Sequence, residues 1–173
     1  IYIDVIDGTQ KILLLAEAPH TDISAIRNTL ENNENYEVSS FLASDFNKSV
    51  SGYNLVILHQ FPSAKNQIQK LLADIDKEKG AVLYILGSNS SIASFNNGQH
   101  DLNISTSGSR LNDGGKMNDV MPVMSKDFSL FTVSDALRNY SSKFAPLQCP
   151  FGNYKINSSV SVLFNQKIGL VET

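Results

Sequence analysis

Apolar runs of strand length recur through the first half of the chain, and each ends in a short polar stretch. The runs KILLLAEA at 11–18 and YNLVILHQ at 53–60 are almost uninterrupted, which is typical of strands covered on both faces. YEVSSFLA at 36–43 and AVLYILG at 81–87 have the length and composition of further strands. The first half therefore predicts four strands.

Helical periodicity separates these strands in two places. In 21–35 apolar residues recur on one helical face, and Asp22 is placed to cap the N-terminus of that helix. The pattern at 63–80 has the same spacing and ends at Gly80. Between the second and third strands, segment 44–52 is too short and polar for more than one helical turn.

Strands that alternate with helices at this spacing predict βαβ units and a mostly parallel sheet. Such units cross over with a right-handed sense. The predicted fold class is therefore α/β, a flavodoxin-like or Rossmann-like three-layer sandwich.

The second half has a different texture and predicts additional β-strands. Segment 91–122 is rich in Asn, Ser and Gly, and within it 101–109 alternates like an exposed or edge strand. A short strand is predicted at 128–133, followed by a short helix capped by Ser134. The C-terminal stretch predicts two strands that meet near 167–169.

A single domain is expected over residues 11–173, because no linker is long enough to force a second one. Residues 1–10 alternate like a terminal strand or a linker from a preceding module. Both ends have strand patterns and the chain does not open with Met. We therefore expect a fragment, truncated at its C-terminus.

Composition narrows the classes of partner. The net charge is −3, only 18% of residues are charged, and the chain has no Lys/Arg cluster. This argues against nucleic acid and against contact with an anionic membrane, which both require a basic face. The single cysteine, Cys149, is predicted to be a small buried hydrophobic residue, and no apolar run approaches the ~20 residues of a membrane span.

Polar side chains that could carry chemistry follow three of the predicted strands. In open α/β sheets, ligands bind outside the carboxyl ends of the strands, so these side chains are the candidates for a site. They are Glu17, His20 and Asp22 after the first strand, His59, Gln60 and Ser63 after the third, and Ser88, Asn89, Ser90 and Ser91 after the fourth.

Two interpretations of this edge are open. A hydrolase would use a serine of 88–91 as nucleophile and His59 or His20 as base. The alternative, which we favour, is a non-catalytic edge whose polar residues face water, with Asp22 as a helix cap.

The turn after the fourth strand fails as a nucleophile elbow. Such an elbow has the pattern G-x-S-x-G, whereas Gly87-Ser88-Asn89-Ser90-Ser91 has a carboxamide at its centre and no closing glycine. The turn is therefore predicted to be a strand end, with Ser90 or Ser91 capping a short helix.

No cofactor motif is present either. Neither a P-loop nor G-x-G-x-x-G occurs in the chain. Asp101, Asn103 and Ser105 have the spacing of the first ligands of a calcium loop, but the glycine at the sixth place and the glutamate at the twelfth are missing. We therefore expect no cofactor and no metal.

The first half resembles the class I glutamine amidotransferase-like fold. The resemblance lies in KILLLAEAPH, YNLVILHQFPS and GAVLYILGSNSS, and it covers about residues 10–92. Active members carry a nucleophilic cysteine in the turn after strand four, and a His and a Glu later in the domain. Here Asn89 takes the cysteine position, no histidine follows His100, and Cys149 is distant in sequence. The resemblance thus implies the fold without the activity.

A narrower resemblance, carried by VIDGTQKILLLAEAPHTDISAIRNTLENNENYEV, YNLVILHQFPS and FNQKIGLVET, is to a segment of large Bacteroidetes membrane proteins of unknown function. Some of these have von Willebrand A-like regions. The resemblance implies a periplasmic or extracytoplasmic location in a membrane-anchored protein. It also implies a non-catalytic domain that binds a ligand, another protein or other domains of its own chain, without nucleic acid and without direct membrane contact.

A third hypothesis is carbohydrate recognition by the Asn/Ser-rich second half. Tyr140, Phe151 and Tyr154 would then serve as stacking surfaces. Aromatic residues in such positions are more often part of a core, so this hypothesis ranks below the other two.

Overall fold

The computed structural model describes residues 8–65, 68–106, 117–141, 143–168 and 171–172. Within them, a four-stranded parallel sheet with helices is followed by antiparallel strands, which confirms the α/β class and the extra strands of the second half. The strand or linker predicted at 1–10 lies mostly outside the described residues. The elements are β1 (Gln10–Ala16), α1 (Thr21–Glu31), β2 (Tyr36–Leu42), β3 (Leu55–His59), α2 (Gln69–Lys77), β4 (Ala81–Ile85), α3 (Ile92–Gly98), β5 (Leu102–Ser105), β6 (Met117–Met124), α4 (Asp135–Ser141), β7 (Leu147–Pro150), β8 (Asn153–Ile156), β9 (Phe164–Ile168) and β10 (Val171–Glu172).

The first sheet has the strand order β2-β1-β3-β4, and every neighbouring pair is parallel. β1 lies at the centre, and its Leu14 is opposite Ser40 of β2 and Ile57 of β3. No helix forms between β2 and β3, as the short polar connection predicted. We call residues 8–98, which contain this sheet and its helices, the parallel half.

The two long helices cover opposite faces of the parallel sheet. Side chains alternate along β1, so Leu13 and Leu15 pack in one cluster with Ile75 of α2. Leu14 belongs to a second cluster, against which Ile26 of α1 packs. The sheet therefore lies between two helical layers, as the alternation of strands and helices predicted.

The start of α1 corrects the predicted cap. Asp22 is not the N-cap, because His20 occupies that position with extended backbone, and its Nδ1 accepts a hydrogen bond from the Asp22 N–H at 3.2 Å. Asp22 lies instead in the first turn, where its negative charge interacts favourably with the positive end of the helix dipole.

The second half forms two antiparallel sheets, one with the order β10-β9-β6-β7 and one that pairs β5 with β8. We call residues 102–172 the antiparallel half. The strand predicted over 101–109 forms at β5, and the two C-terminal strands pair as predicted, with Val171 opposite Ile168. Ser134 caps α4 as predicted, since its Oγ accepts the N–H of Leu137.

The prediction of a strand at 128–133 is wrong. The segment forms no strand, and Phe128 and Phe131 pack edge to face, with ring centroids 4.8 Å apart. The prediction for Cys149 is also incorrect in degree, because its side chain is only half-buried. This burial still raises the pKa of the thiol.

A third hydrophobic cluster joins the two halves. Ile92 and Phe95 of α3 are buried together with Ile104 of β5, and Tyr84 of β4 and Tyr154 of β8 pack against them. Among the described residues, no helix has the length and apolar character needed to cross a membrane.

Candidate functional site

The carboxyl edge of the parallel sheet has a topological switch point between β1 and β3. These two strands are neighbours, but the helices that follow them pack on opposite faces of the sheet. A crevice forms outside such strands, and ligands of open α/β sheets bind there. His20 follows β1 and His59 ends β3, so the fold brings two of the predicted candidates to this point.

His20, Asp22 and His59 form a contact cluster at the switch point. Nε2 of His59 lies 3.2 Å from Oδ2 of Asp22, and Nδ1 of His20 lies 3.2 Å from Oδ1 of the same carboxylate. The two imidazole centroids are 5.0 Å apart. The sequence placed these three residues at one edge, and the structure brings them into contact.

The cluster is buried on one side and open on the other. The His59 side chain is 2% exposed, whereas those of His20 and Asp22 are 42% and 53% exposed. Nδ1 of His59 has no hydrogen-bond partner among the described residues, although buried polar atoms are nearly always satisfied. Glu17 is adjacent, since its backbone N–H donates to the carbonyl of His59.

The turn after β4 is held by its own backbone and side chains. The N–H of Asn89 donates to Oε1 of Gln60, that of Ser90 to the carbonyl of Gly87, and that of Ser91 to the carbonyl of Pro62. In a nucleophile elbow, the N–H after the nucleophile contributes to the oxyanion hole. Here all three consecutive N–H groups already have acceptors.

Gln60 maintains this arrangement from the loop after β3. Its backbone has φ 54°, a left-handed conformation that few residues other than glycine adopt. Its side chain passes so close to Gly87 that a Cβ there would lie 2.7 Å from Cδ of Gln60. Gly87, which follows β4, therefore lets the side chain of Gln60 approach the turn, and a larger residue there would force that side chain to move.

The serines of the turn stabilise the local backbone or are exposed, and the described structure shows no hydrogen bond between them and the histidines. Oγ of Ser90 is buried and accepts the N–H of Gly87, and Oγ of Ser91 caps α3 by accepting the N–H of Ser94, as the sequence predicted. Ser88 and Asn89 are exposed. Within the part of the chain that the structure describes, neither histidine hydrogen-bonds with a serine of 88–91, so the contact needed for a Ser/His hydrolase is not formed.

The remaining candidates are Asp101, which follows α3, and residues of the antiparallel half. The spacing of Asp101, Asn103 and Ser105 follows from strand pairing, because β5 lies antiparallel to β8. Of the three aromatic residues proposed for carbohydrate stacking, Tyr154 is half-buried, and its hydroxyl donates to the carbonyl of Pro150 at 2.6 Å. Burial raises the pKa of Tyr154 to about 12.

The antiparallel half has an apolar cavity of about 430 Å³, which sequence reasoning did not anticipate. This volume lies within the usual range of ligand sites, about 300–1,000 Å³. Its walls come from short strands and the loop before β9, whose pattern did not predict a shared face. Among the residues that line it are Leu102, Val120, Leu147, Cys149, Ile156 and Val162.

No protein-family model matches the chain, and the comparisons with curated proteins and with solved structures give no match either. The resemblance to the class I glutamine amidotransferase-like fold therefore stays a prediction. The geometry of the sheet edge and the apolar surface of the antiparallel half are therefore the features that bear on function.

Proposed function

We propose that this chain is a non-catalytic recognition domain of a membrane-anchored protein, with its site of action outside the cytoplasmic membrane. Its partner is another protein, a ligand, or other domains of its own chain. Nucleic acid and direct membrane contact are excluded from the proposal, because the chain has a net charge of −3 and no basic cluster.

The observation that carries the proposal is the set of acceptors on the turn after β4. The N–H groups of Asn89, Ser90 and Ser91 are all bonded within the turn and its neighbouring loop. An acyl-transfer site requires free donors aimed at the developing oxyanion. A turn whose N–H groups at 89–91 are all bonded, with a carboxamide in the nucleophile position, supports recognition rather than hydrolysis.

The sheet supports the flavodoxin-like part of the proposal. The order β2-β1-β3-β4 corresponds to the first four strands of flavodoxin-like sheets, whose ligands bind at the switch point between strands one and three. The class I glutamine amidotransferase-like assignment belongs to this proposal as its finer form. In that form the scaffold is retained and the nucleophile is absent.

The antiparallel half supports a protein partner. All but two of the large hydrophobic side chains that are exposed in the described residues lie after residue 129. Apolar surface that is concentrated in one region of a protein commonly marks an interaction site. The later residues are Leu130, Phe131, Leu137, Tyr140, Phe144, Leu147, Phe151, Ile156 and Ile168.

Ester and amide hydrolysis assays test the absence of catalysis. We expect the chain to hydrolyse p-nitrophenyl acetate and glutamine no faster than its Asn89→Ala and Ser88→Ala variants. The N–H that follows each of these residues is already bonded, and neither residue hydrogen-bonds with a histidine in the described part of the chain. Ser91→Ala is the structural control, with a loss of about 1 kcal/mol of stability through the α3 cap. Turnover that disappears in the Asn89→Ala or Ser88→Ala variant would contradict the proposal.

Site-specific photocrosslinking in cells that express the full-length protein tests recognition and location together. A benzophenone amino acid at Phe131, which is 58% exposed, should form a defined adduct, and one at Tyr36 in the parallel half should not. Protease added to intact spheroplasts should cleave the domain. The absence of an adduct at Phe131, or protection from the protease, would count against the corresponding part of the proposal.

A further inference from the structure

We propose that His20, Asp22 and His59 bind one divalent transition-metal ion, with Zn²⁺ as the reference ion. One donor atom of each residue lies within 4.8 Å of the donor atoms of the other two. Imidazole nitrogen and carboxylate oxygen are the ligands that Zn²⁺ and its neighbours in the first transition row accept. This site goes beyond the recognition function and does not depend on it.

The distances fit a small ion. Metal–nitrogen bonds of about 2.0–2.1 Å place the donor atoms of a tetrahedral site about 3.3 Å apart. Nδ1 of His20 lies 3.2 Å from Oδ1 of Asp22, and Nε2 of His59 lies 3.2 Å from Oδ2. The three donor atoms lie within 4.8 Å of one another, and the exposed side chain of His20 is the one that moves to close this spacing.

Protons alone cannot satisfy every contact of His20. Its Nδ1 accepts the N–H of Asp22, so it presents a lone pair, yet the same nitrogen faces the negatively charged Oδ1 at 3.2 Å. Protonating Nδ1 would satisfy the carboxylate, but it would remove the acceptor of the helix cap. A cation bound by Nδ1 and Oδ1 turns their repulsion into attraction, and it takes the place of the Asp22 N–H on the lone pair of Nδ1.

The buried histidine supplies the second, independent observation. His59 is 1% exposed, its Nε2 points at Asp22, and its Nδ1 has no partner in the described part of the chain. Burying an imidazole costs free energy unless its nitrogens have partners. An ion bound at Nε2 gives this side chain a strong partner at the nitrogen that faces Asp22, while Nδ1 keeps none among the described residues. The missing partner of Nδ1 also limits affinity, since an absent outer hydrogen bond typically weakens metal binding about 10–100-fold.

The surroundings leave the remaining coordination positions open. His20 and Asp22 are about half exposed, so the ion enters from solvent and keeps water or accepts an anionic group from a partner. The positive end of the α1 dipole opposes the cation, but by only about 0.3–1 kcal/mol. Three protein ligands with an open position is the arrangement of accessible zinc sites.

Calorimetric titration of the tag-free, chelator-treated chain with Zn²⁺ tests the site. We expect one ion per chain and a higher melting temperature with the ion bound. His20→Ser, which keeps a capping side chain, and Asp22→Asn should each weaken binding at least tenfold. The matched controls His100→Ser and Asp127→Asn, at exposed positions elsewhere, should bind as the original chain does.

Long-range ¹H–¹⁵N spectra of the imidazoles make the test independent of folding in the variants. Zn²⁺ should shift the ring nitrogens of His20 and His59 and leave those of His100 unchanged. No stoichiometric binding, equal affinity in all five proteins, or a shift confined to His100 would overturn the proposal. A purely structural His59–Asp22 hydrogen bond predicts the first of these outcomes.

Discussion

The parallel half and the antiparallel half differ in where their hydrophobic side chains lie. In the described residues, all but three of the buried hydrophobic side chains precede residue 100, and the three exceptions are Ile104, Val120 and Val133. The exposed large hydrophobic side chains show the opposite distribution, with only Tyr36 and Leu83 in the parallel half. One chain thus combines a closed hydrophobic core with an open apolar surface.

The two halves differ because helices cover the sheet of the parallel half but not the sheets of the antiparallel half to the same extent. In the parallel half, α1 and α2 cover both faces of one sheet, so β1 can be apolar at almost every position. In the described part of the antiparallel half, α4 is the only α-helix, and it has seven residues. Two small sheets with so little cover leave large apolar side chains exposed, and this exposure is the basis of the proposal that the antiparallel half binds a partner.

The largest expected effect comes from a large-to-small change in the closed core. Leu14→Ala removes a side chain that is 0% exposed at the centre of the parallel sheet, so it should cost about 2–5 kcal/mol of unfolding free energy. Leu130→Ala, at a position 72% exposed, should change stability by less than about 0.5 kcal/mol. Urea denaturation measures both.

The control decides whether the comparison between the halves holds in solution. If Leu130→Ala destabilises the chain as strongly as Leu14→Ala does, the side chain of Leu130 is covered by something, and the surface of the antiparallel half is not open. If only Leu14→Ala lowers the unfolding free energy, the difference between the closed core and the open apolar surface is confirmed in solution.

A smaller loss of stability is expected when alanine replaces a glycine whose neighbouring atoms leave no space for a Cβ. A Cβ at Gly152 would lie 2.6 Å from the carbonyl oxygen of Ser105, which belongs to the backbone of β5. Because backbone yields little, Gly152→Ala should cost about 1–3 kcal/mol. Gly87→Ala meets only the side chain of Gln60 and should cost less, while Gly8→Ala, with nothing within 4 Å, should be nearly neutral.

Amide hydrogen exchange of the Gly152→Ala variant shows how far the damage spreads. Faster exchange confined to β5 and β8, with β1 and β3 unchanged, means that the two halves open separately. Faster exchange throughout means that the cluster around Ile104 couples them. No change in either half would contradict the close approach of Gly152 to β5.

The contrast between the two halves also explains which elements could be predicted from the sequence. The runs of β1 and β3 and the periodic spacing of α2 identified those elements because burial between layers demands apolar residues at fixed positions. β6, with the sequence MNDVMPVM, has no such pattern. It pairs with β7 through residues 117–120 and with β9 through residues 121–124, so Pro122 has a paired neighbour on one side only and is tolerated there.

The candidate site was predictable as a set of residues but not as a geometry. His20, Asp22 and His59 could be named because each lies at or after the end of a strand. Their contact depends on β1 lying beside β3, which brings together His59 and Asp22, 37 residues apart in sequence. No short motif encodes such a contact, and the expectation of no metal was based on motifs alone. The absence of a nucleophile at the centre of the turn could be predicted, because it depends only on the identity of residue 89, which is Asn.

The smallest effect at neutral pH comes from a pair of tyrosines, one in each half, that meet in the same cluster. Burial raises the pKa values of Tyr84 and Tyr154 to about 12, with smaller contributions from Asp76 and Cys149 respectively. Between about pH 10 and 12 the unfolded chain loses these phenolic protons while the folded chain keeps them. Stability should therefore be unaffected by these groups below pH 10 and fall as the pH rises towards 12.

Denaturation of the Tyr84→Phe and Tyr154→Phe variants from pH 7 to 12 separates the two contributions. At pH 7, Tyr154→Phe should lose about 1 kcal/mol with the hydrogen bond to Pro150, and Tyr84→Phe should lose less. Above pH 10, each variant should show a shallower fall than the original chain, because one of the two groups no longer titrates. If Tyr154→Phe leaves the slope unchanged while Tyr84→Phe reduces it, Tyr154 is solvated, and the antiparallel half opens without the parallel half.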